Sequence, residues 1–249
     1  MINRLKNLYY SRKTKNFFNI KVSIEECPFC ERKVPFISFD KNFFTRCIVC
    51  RNTCLNLGLI PIIKEILPVE SVYELSTYGG THDFLKKNVS NLSTSEFFPN
   101  HKLGKYVNGI RNEDVQKLSF ADKEFDLVTS NQVFEHVPDD IKGFKEINRV
   151  LKNGGFFIFG IPLYNIPKTL QRAYIKDGKI FHIELPEYHG SRLEGPNSVL
   201  TFWKHSKNDI VQRLEQAGFK VEFKNIMVSK NQGKPFTYLK CQKYNESEV

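Results

Sequence analysis

Residues 113–163 read EDVQKLSFADKEFDLVTSNQVFEHVPDDIKGFKEINRVLKNGGFFIFGIPL, and the hydrophobic pattern of this stretch decides the fold. After an acidic turn, Phe125, Leu127 and Val128 mark a strand over 125–130. A helix is expected after Pro138, with Asp139 and Asp140 in its first turn. Carboxylates there oppose the positive end of the helix dipole. Ile141, Phe144, Ile147, Val150 and Leu151 recur at helical spacing and predict one buried stripe. Asn153, Gly154 and Gly155 are expected to end the helix, because glycine accepts the left-handed conformation of a C-cap. Phe156 to Ile161 is then a nearly continuous apolar run, the mark of a strand covered on both faces. Strand, helix and strand in this order form a parallel crossover unit.

Upstream, residues 71–75 read as the first core strand. It runs into Glu74-Leu75-Ser76-Thr77-Tyr78-Gly79-Gly80-Thr81, followed by a helix through Phe84 and Leu85. A second strand over 88–96 ends at Glu96, 22 residues after Glu74. A carboxylate near that distance accepts hydrogen bonds from ribose hydroxyls in nucleotide-binding α/β folds. Downstream, 206–217 reads as a helix, and 220–228 and 235–242 alternate as two last strands joined through Asn231-Gln232-Gly233.

Four pieces recur in order: Asp114-Val115 before Leu118-Ser119-Phe120, Phe125-Asp126-Leu127-Val128, Phe134-Glu135-His136-Val137, and Arg149-Val150-Leu151-Lys152-Asn153-Gly154-Gly155. With these pieces the stretch resembles the class I S-adenosylmethionine-dependent methyltransferases. The resemblance spans about residues 70 to 242. It implies a doubly wound, mostly parallel, seven-stranded α/β sheet of Rossmann-like form. It implies S-adenosylmethionine as cofactor, held by Glu74, Ser76, Gly79, Gly80, Glu96, Asp114, Val115, Ser130 and Asn131. In that family the first turn is an acidic residue followed by G-x-G-x-G. Here Ser76 and Tyr78 stand at the first two glycine positions, Gly80 at the third, and Gly79 is extra. This departure motivates a rival expectation, a cofactor-binding or scaffold protein without catalysis.

The 249 residues suit one large domain with a small appendage. Four cysteines, Cys27, Cys30, Cys47 and Cys50, follow the spacing C-x2-C-x16-C-x2-C of a zinc ribbon. Four thiolates around one zinc ion leave no open position, so the expected role is structural. Cys54 reads as a small helical residue, with a substitute zinc ligand as the alternative, and Cys241 as a buried strand residue. The domain reading is a basic arm over 1–21, a zinc-ribbon module over 22–55, a methyltransferase domain over 56–244 and a tail over 245–249. Residues 56–67 read as a helix whose first turn is offset by Pro61, and 162–205 as a lid inserted beyond a strand's C-terminal end. No apolar run reaches the roughly 20 residues of a membrane helix. The basic start of the chain lacks an apolar signal core, so a cytoplasmic location is expected.

The net charge of +10 admits an anionic partner. Its clearest cluster is Arg4, Lys6, Arg12, Lys13 and Lys15. An RNA methyltransferase gripping phosphates with the arm and ribbon is therefore an alternative. Residues 130–133 read Ser-Asn-Gln-Val, without the Asn-Pro-Pro-Tyr-type motif of such enzymes. The lid carries Gly178-Lys-Ile-Phe-His182 and Pro186-Glu-Tyr-His-Gly190, which look like segments of a subgroup that modifies glycans or secondary metabolites. The expected acceptor is a hydroxyl of a sugar or small metabolite. A hydroxyl benefits from a general base, and imidazole suits neutral pH. His189 ranks first for that role and His136 second. Glu187, Tyr188 and His182 are the expected substrate contacts, with Pro186 and Gly190 fixing a sharp turn around them. The number of subunits has no signal in the sequence.

Overall fold

The computed structural model describes residues 20–39, 44–193 and 195–245. The basic arm, apart from Ile20 and Lys21, and residues 246–249 of the expected tail lie outside the described residues. Strand β1 (Lys21–Cys27) pairs antiparallel with β2 (Arg32–Ser38), which pairs with β3 (Arg46–Cys47). Alternation along β2 buries Val34 and Phe36 on one side. The segment expected as one helix is two, α1 (Cys54–Leu57) and α2 (Leu59–Lys64). Thr53 caps the first by accepting the Asn56 N–H. The break falls at Gly58, not at Pro61. A Cβ on Gly58 would lie 2.2 Å from the Tyr238 hydroxyl, so only glycine lets the helix pair close over that ring. Pro61 sits in the first turn of α2, where its missing N–H has no helical partner to lose.

The chain then runs β4 (Val72–Glu74), α3 (Gly80–Asn88), β5 (Leu92–Thr94), a small hairpin of β6 (Tyr106–Val107) and β7 (Ile110–Arg111), and β8 (Phe125–Asn131). A 3-10 turn (Phe134–His136) leads to α4 (Asp140–Val150) and β9 (Leu151–Gly160). The Gly-Gly pair does not cap α4. The helix ends at Val150, and Leu151 is already extended and paired with Phe125. Leu127 then pairs with Phe156, so residues 152–155 are a bulge in β9 whose Gly154 has φ of +73°. A loop residue pattern that reads as a helix stop serves here as a strand kink.

Next come β10 (Leu163–Tyr164), β11 (Leu170–Gln171), β12 (Ala173–Lys176), β13 (Lys179–His182), β14 (Tyr188–Ser191), β15 (Gly195–Leu200) and β16 (Trp203–Ser206). The chain closes with α5 (Ile210–Glu215), β17 (Phe219–Ile226) and β18 (Phe236–Lys243). The main sheet has the order β17-β18-β9-β8-β4-β5. Strands β5, β4, β8 and β9 are parallel, and β18 and β17 are antiparallel. Among the described residues six strands form this sheet. The expected seventh is reduced to one parallel bridge, Glu96 with Asn112, beyond the end of β5.

Strand alternation sorts the core onto two faces. Tyr73, Val128, Phe157, Phe159 and Leu239 pack with Phe144, Ile147 and Val150 of α4 and Ile210 and Leu214 of α5. On the other face Val72, Leu127, Ile158 and Tyr238 pack with α1, α2 and α3. Cys27, Val34, Phe36 and Cys47 belong to this second cluster. The ribbon therefore has no core of its own; it and the sheet share one apolar layer across the boundary expected at residue 55. Hydrogen bonds add to it: Thr45 and Ser38 donate to the Asn231 carbonyl before β18, at 3.2 and 3.1 Å.

Residues 162–205, expected as a lid, contain two hairpins. β12 pairs with β13, and β14 with β15. The Glu187-Tyr188-His189-Gly190 segment is thus mostly strand rather than the sharp turn expected from Pro186 and Gly190. No helix among the described residues is long and apolar enough to cross a membrane.

Candidate functional site

The C-terminal ends of β4 and β8 open onto a pocket of about 130 Å³. Glu74, Ser76, Gly79, Gly80, Glu96 and Asn131 line it, six of the residues expected to hold a cofactor. Tyr78, which the sequence places at a family glycine position of this turn, lines it too, as do Asn56, Leu75, Thr81, Gln132 and Val133, which the sequence reading did not assign to the site. Asn56 comes from α1, a contribution that only the packing of the ribbon side onto the sheet brings about.

Gly79 has φ of +100°, and a Cβ there would meet nothing within 4 Å. The left-handed conformation requires glycine while the pocket side stays open. Gly80 starts α3, and a Cβ on it would lie 2.9 Å from the Asn52 side chain. The turn before α3 therefore sits directly against the segment that follows Cys50. Tyr78 is half-buried and lies under the Arg192 guanidinium, 5.4 Å from its ring centroid, so the lid touches this turn.

Glu96 accepts through one oxygen from the Thr77 N–H at 2.7 Å, the Thr77 hydroxyl at 2.8 Å and the Ser76 hydroxyl at 3.3 Å. Ser76, which replaces a family glycine, thus helps clamp the turn to Glu96. Glu74 is 2% exposed. Burial, reinforced by the nearby Glu96 charge, pushes its pKa up to about 8, against the hydrogen bond donated by Thr129. A buried cationic ligand would find in Glu74 a carboxyl ready to ionise. Ser130 Oγ and Asn131 Oδ1 are buried without a hydrogen-bond partner, and burying such groups unpaired costs about 1–3 kcal/mol each. An open glycine cradle and the orphaned Asn131 oxygen on the pocket wall fit a bound polar cofactor.

Asp114, Val115 and Ser130 do not line this pocket; Ser130 is buried within β8. The Asp114 carboxylate accepts from the Gln116 N–H at 2.9 Å and fixes its own turn. Val115 packs against the core beside Gly143.

The two ranked histidines meet. The rings of His136 and His189 stand edge to face with centroids 4.9 Å apart. His136 Nδ1 donates to the Leu200 carbonyl at 2.9 Å, which leaves Nε2 with its lone pair. Burial pulls its pKa down to about 4. His189, about one-third exposed, is 3.2 Å through Nε2 from Glu187, which also pairs with Arg172. Tyr188 and His182 are exposed, the latter on the β12–β13 hairpin opposite Ala173. Glu135, 1% exposed, was passed over in sequence although it adjoins His136.

At the far end of the chain, Cys27 and Cys50 sulfurs lie 3.8 Å apart and Cys30 and Cys47 sulfurs 3.9 Å. All four lie within 4.8 Å of one another. Tetrahedral coordination with Zn–S of about 2.3 Å sets sulfurs about 3.8 Å apart, so the cluster has the dimensions of a four-thiolate site.

A second buried group was missed altogether. His205 Nε2 lies 2.9 Å from Asp140, which also pairs with Arg213. Asp140 and His205 are fully buried. Burial alone would raise the Asp140 pKa, yet the His205 hydrogen bond and the Arg213 charge outweigh it and hold it below the usual range.

Residues 81–159 match the profile of the methyltransferase domain family. The chain is 33% identical over 125 residues to a demethylmenaquinone methyltransferase of Staphylococcus haemolyticus, covering 46% of this chain and 50% of that protein. It is 32% identical over 114 residues to the Staphylococcus aureus enzyme of the same name, covering 43% and 45%. The chain spans about half the length of the curated relatives it matches. A crystal structure of an S-adenosylmethionine-dependent methyltransferase from Mesorhizobium loti overlays with a TM-score of 0.47 at 16% identity, covering 75% of this chain and 98% of that one. One from Clostridium acetobutylicum gives 0.47 at 15% identity, covering 77% and 91%.

Proposed function

We propose that this chain, which carries a class I S-adenosylmethionine-dependent methyltransferase domain, transfers a methyl group to an oxygen of a small molecule. The observation that carries this reading is the pocket formed by Glu74, Gly79, Gly80 and Glu96 beside the matched residues 81–159. S-adenosylmethionine supplies the electrophilic methyl, so the protein's part is to orient the acceptor and exclude water. Glu74 and the Gly79–Gly80 turn would hold the amino-acid end, and Glu96 the ribose through the oxygen not used by Thr77. Asn131, already on the pocket wall, would face the base with Ser130 beside it on β8, and Asp114 and Val115 would close around it by adjustment of their turn.

The acceptor enters from the lid side, where His136 and His189 meet. These imidazoles hold the acceptor hydroxyl and ease loss of its proton, while Glu187 and Tyr188 contact its polar edge and His182 lies farther out on the lid. The names of the staphylococcal relatives support a small-molecule acceptor; a sugar or metabolite hydroxyl is the class we favour. The four cysteines hold a structural zinc ion that fixes the ribbon against the cofactor turn. We place the protein in the cytoplasm, where thiols stay reduced.

The test is a methyl-transfer screen with isotopically labelled S-adenosylmethionine and three acceptor pools: sugars, phenolic or quinone metabolites, and total RNA. Label entering a small molecule supports the proposal. Label entering RNA alone would replace it with the RNA reading.

A further inference from the structure

Glu135 poses a problem that methyl transfer alone does not answer. Its carboxylate is 1% exposed, and neither oxygen has a hydrogen-bond partner. A buried acid left this way is costly unless something else satisfies it. The groups nearest in kind are imidazoles: His136 Nε2 lies 3.8 Å from Glu135 Oε1. One donor atom from each of Glu135, His136 and His189 falls within a span of 4.8 Å.

Both rings are held as metal-ligating histidines are held. His136 gives its Nδ1–H to the Leu200 carbonyl, which turns the Nε2 lone pair inward. His189 is steadied through Nε2 by the Glu187 carboxylate, itself anchored by Arg172, and its other nitrogen keeps a lone pair. Histidine ligands commonly donate their second N–H to a carbonyl or carboxylate, which orients the ring. Glu135 and His136 come from the 3-10 turn after β8, and His189 from the lid strand β14. Val133, two residues before Glu135, lines the cofactor pocket.

We propose that Glu135, His136 and His189 form a site for a first-row divalent cation, separate from the four cysteines, on the acceptor side of the cofactor pocket. Two imidazoles and one carboxylate suit such ions and leave coordination positions open. This rests on the reading of that side as the acceptor's. It replaces direct proton transfer to a histidine by polarisation of the acceptor oxygen at the cation, which makes its hydroxyl more acidic. It also favours acceptors with two adjacent oxygens able to chelate.

The test uses Co²⁺ as probe on the zinc-loaded full-length protein without S-adenosylmethionine. Calorimetry and visible absorption should show saturable uptake of one Co²⁺ per chain. The spectrum should have d–d bands and no thiolate-to-cobalt charge transfer, with zinc content unchanged. Glu135→Gln and His189→Ala should each weaken Co²⁺ binding by about tenfold or more, and Glu187→Ala, which acts through His189, by about tenfold. His189 is partly exposed, so its truncation tests the site even where Glu135→Gln disturbs folding. Absence of saturable uptake by the wild type, or uptake unchanged in His189→Ala, would overturn the proposal. Because no S-adenosylmethionine is present, a negative result leaves the cofactor reading standing, and failure of cofactor binding leaves the cobalt result readable.

Discussion

Two buried carboxylates, Glu74 and Asp140, respond to pH in opposite senses. Glu74 has its pKa raised to about 8 in the fold, from about 4.3 in an unfolded chain. Between those values the native state binds the extra proton. Its contribution to stability is therefore complete below about pH 4 and is lost as pH rises through about 8. Glu74→Gln removes that loss, so the variant should melt higher than the wild type at pH 9, with the gap closing toward pH 5. Parallel melting curves across this range would show that Glu74 is already ionised in the native state. Asp140 is held below the usual range by His205 and Arg213. Its contribution is present above about pH 3.9 and is lost as pH falls through its native value. His205→Ala strips one partner from a buried ion and should cost about 3 kcal/mol, a Tm lower by about 6–12 °C for a chain of this size. Urea titration at pH 7 checks the size. At this scale the sequence announced Glu74 and Glu96 through their places after two strands. It hid Asp140, because a carboxylate in a helix's first turn reads as a solvated partner of the dipole. Only the fold brings His205, 65 residues away, against it.

Elements were legible where one period dominates and less so where glycine has two uses. The apolar stripe of α4 and the flanking strands β8 and β9 stand close to their expected places. Gly154 was read as a helix stop because a bulge and a C-cap ask for the same left-handed residue. The helix pair α1–α2 breaks at Gly58 because Tyr238, far along the chain, needs the space. Residues 162–205 were read as an insertion without inner structure, because the hairpins there have weak alternation and much exposure that leave their registers unmarked. His189 on β14 tests the lid's role in turnover. Whether its ring takes the acceptor's proton or helps hold a cation that acidifies it, His189→Ala should lower turnover by about 10²–10⁴-fold while leaving cofactor affinity nearly unchanged. Steady-state kinetics beside calorimetry separates the two, and full activity would remove His189 from the chemistry. The ribbon carries a further prediction. Cys27→Ser, or zinc removal by a chelator, should loosen the contact of Asn52 with Gly80 and of Asn56 with the pocket. Cofactor affinity should then fall together with the melting temperature. A ribbon that unfolds with affinity intact would contradict the shared apolar layer.

At the scale of the whole molecule, the ribbon and residues 162–205 both reach the turn that lines the pocket, through Asn52 beside Gly80 and Arg192 over Tyr78. The ribbon packs on the sheet face that carries α3, and the lid reaches the turn at Tyr78 through Arg192. The doubly wound order could be read because Rossmann-like strands are apolar runs separated by amphipathic helices. The reduction of the edge strand to one bridge could not, since a single pairing leaves no pattern. The tight joining of ribbon and sheet was hidden as well, because its contacts pair residues about 200 positions apart, such as Ser23 with Ser229. The central claim is that this pocket holds S-adenosylmethionine. The direct measurement is calorimetric titration of the zinc-loaded protein with S-adenosylmethionine, beside Glu96→Ala. One saturable site is expected in the wild type, weakened in the variant by about 1–3 kcal/mol for the lost hydrogen bonds. A folded, zinc-loaded wild type with no measurable heat of binding, or a Glu96→Ala variant that binds as tightly, would contradict it.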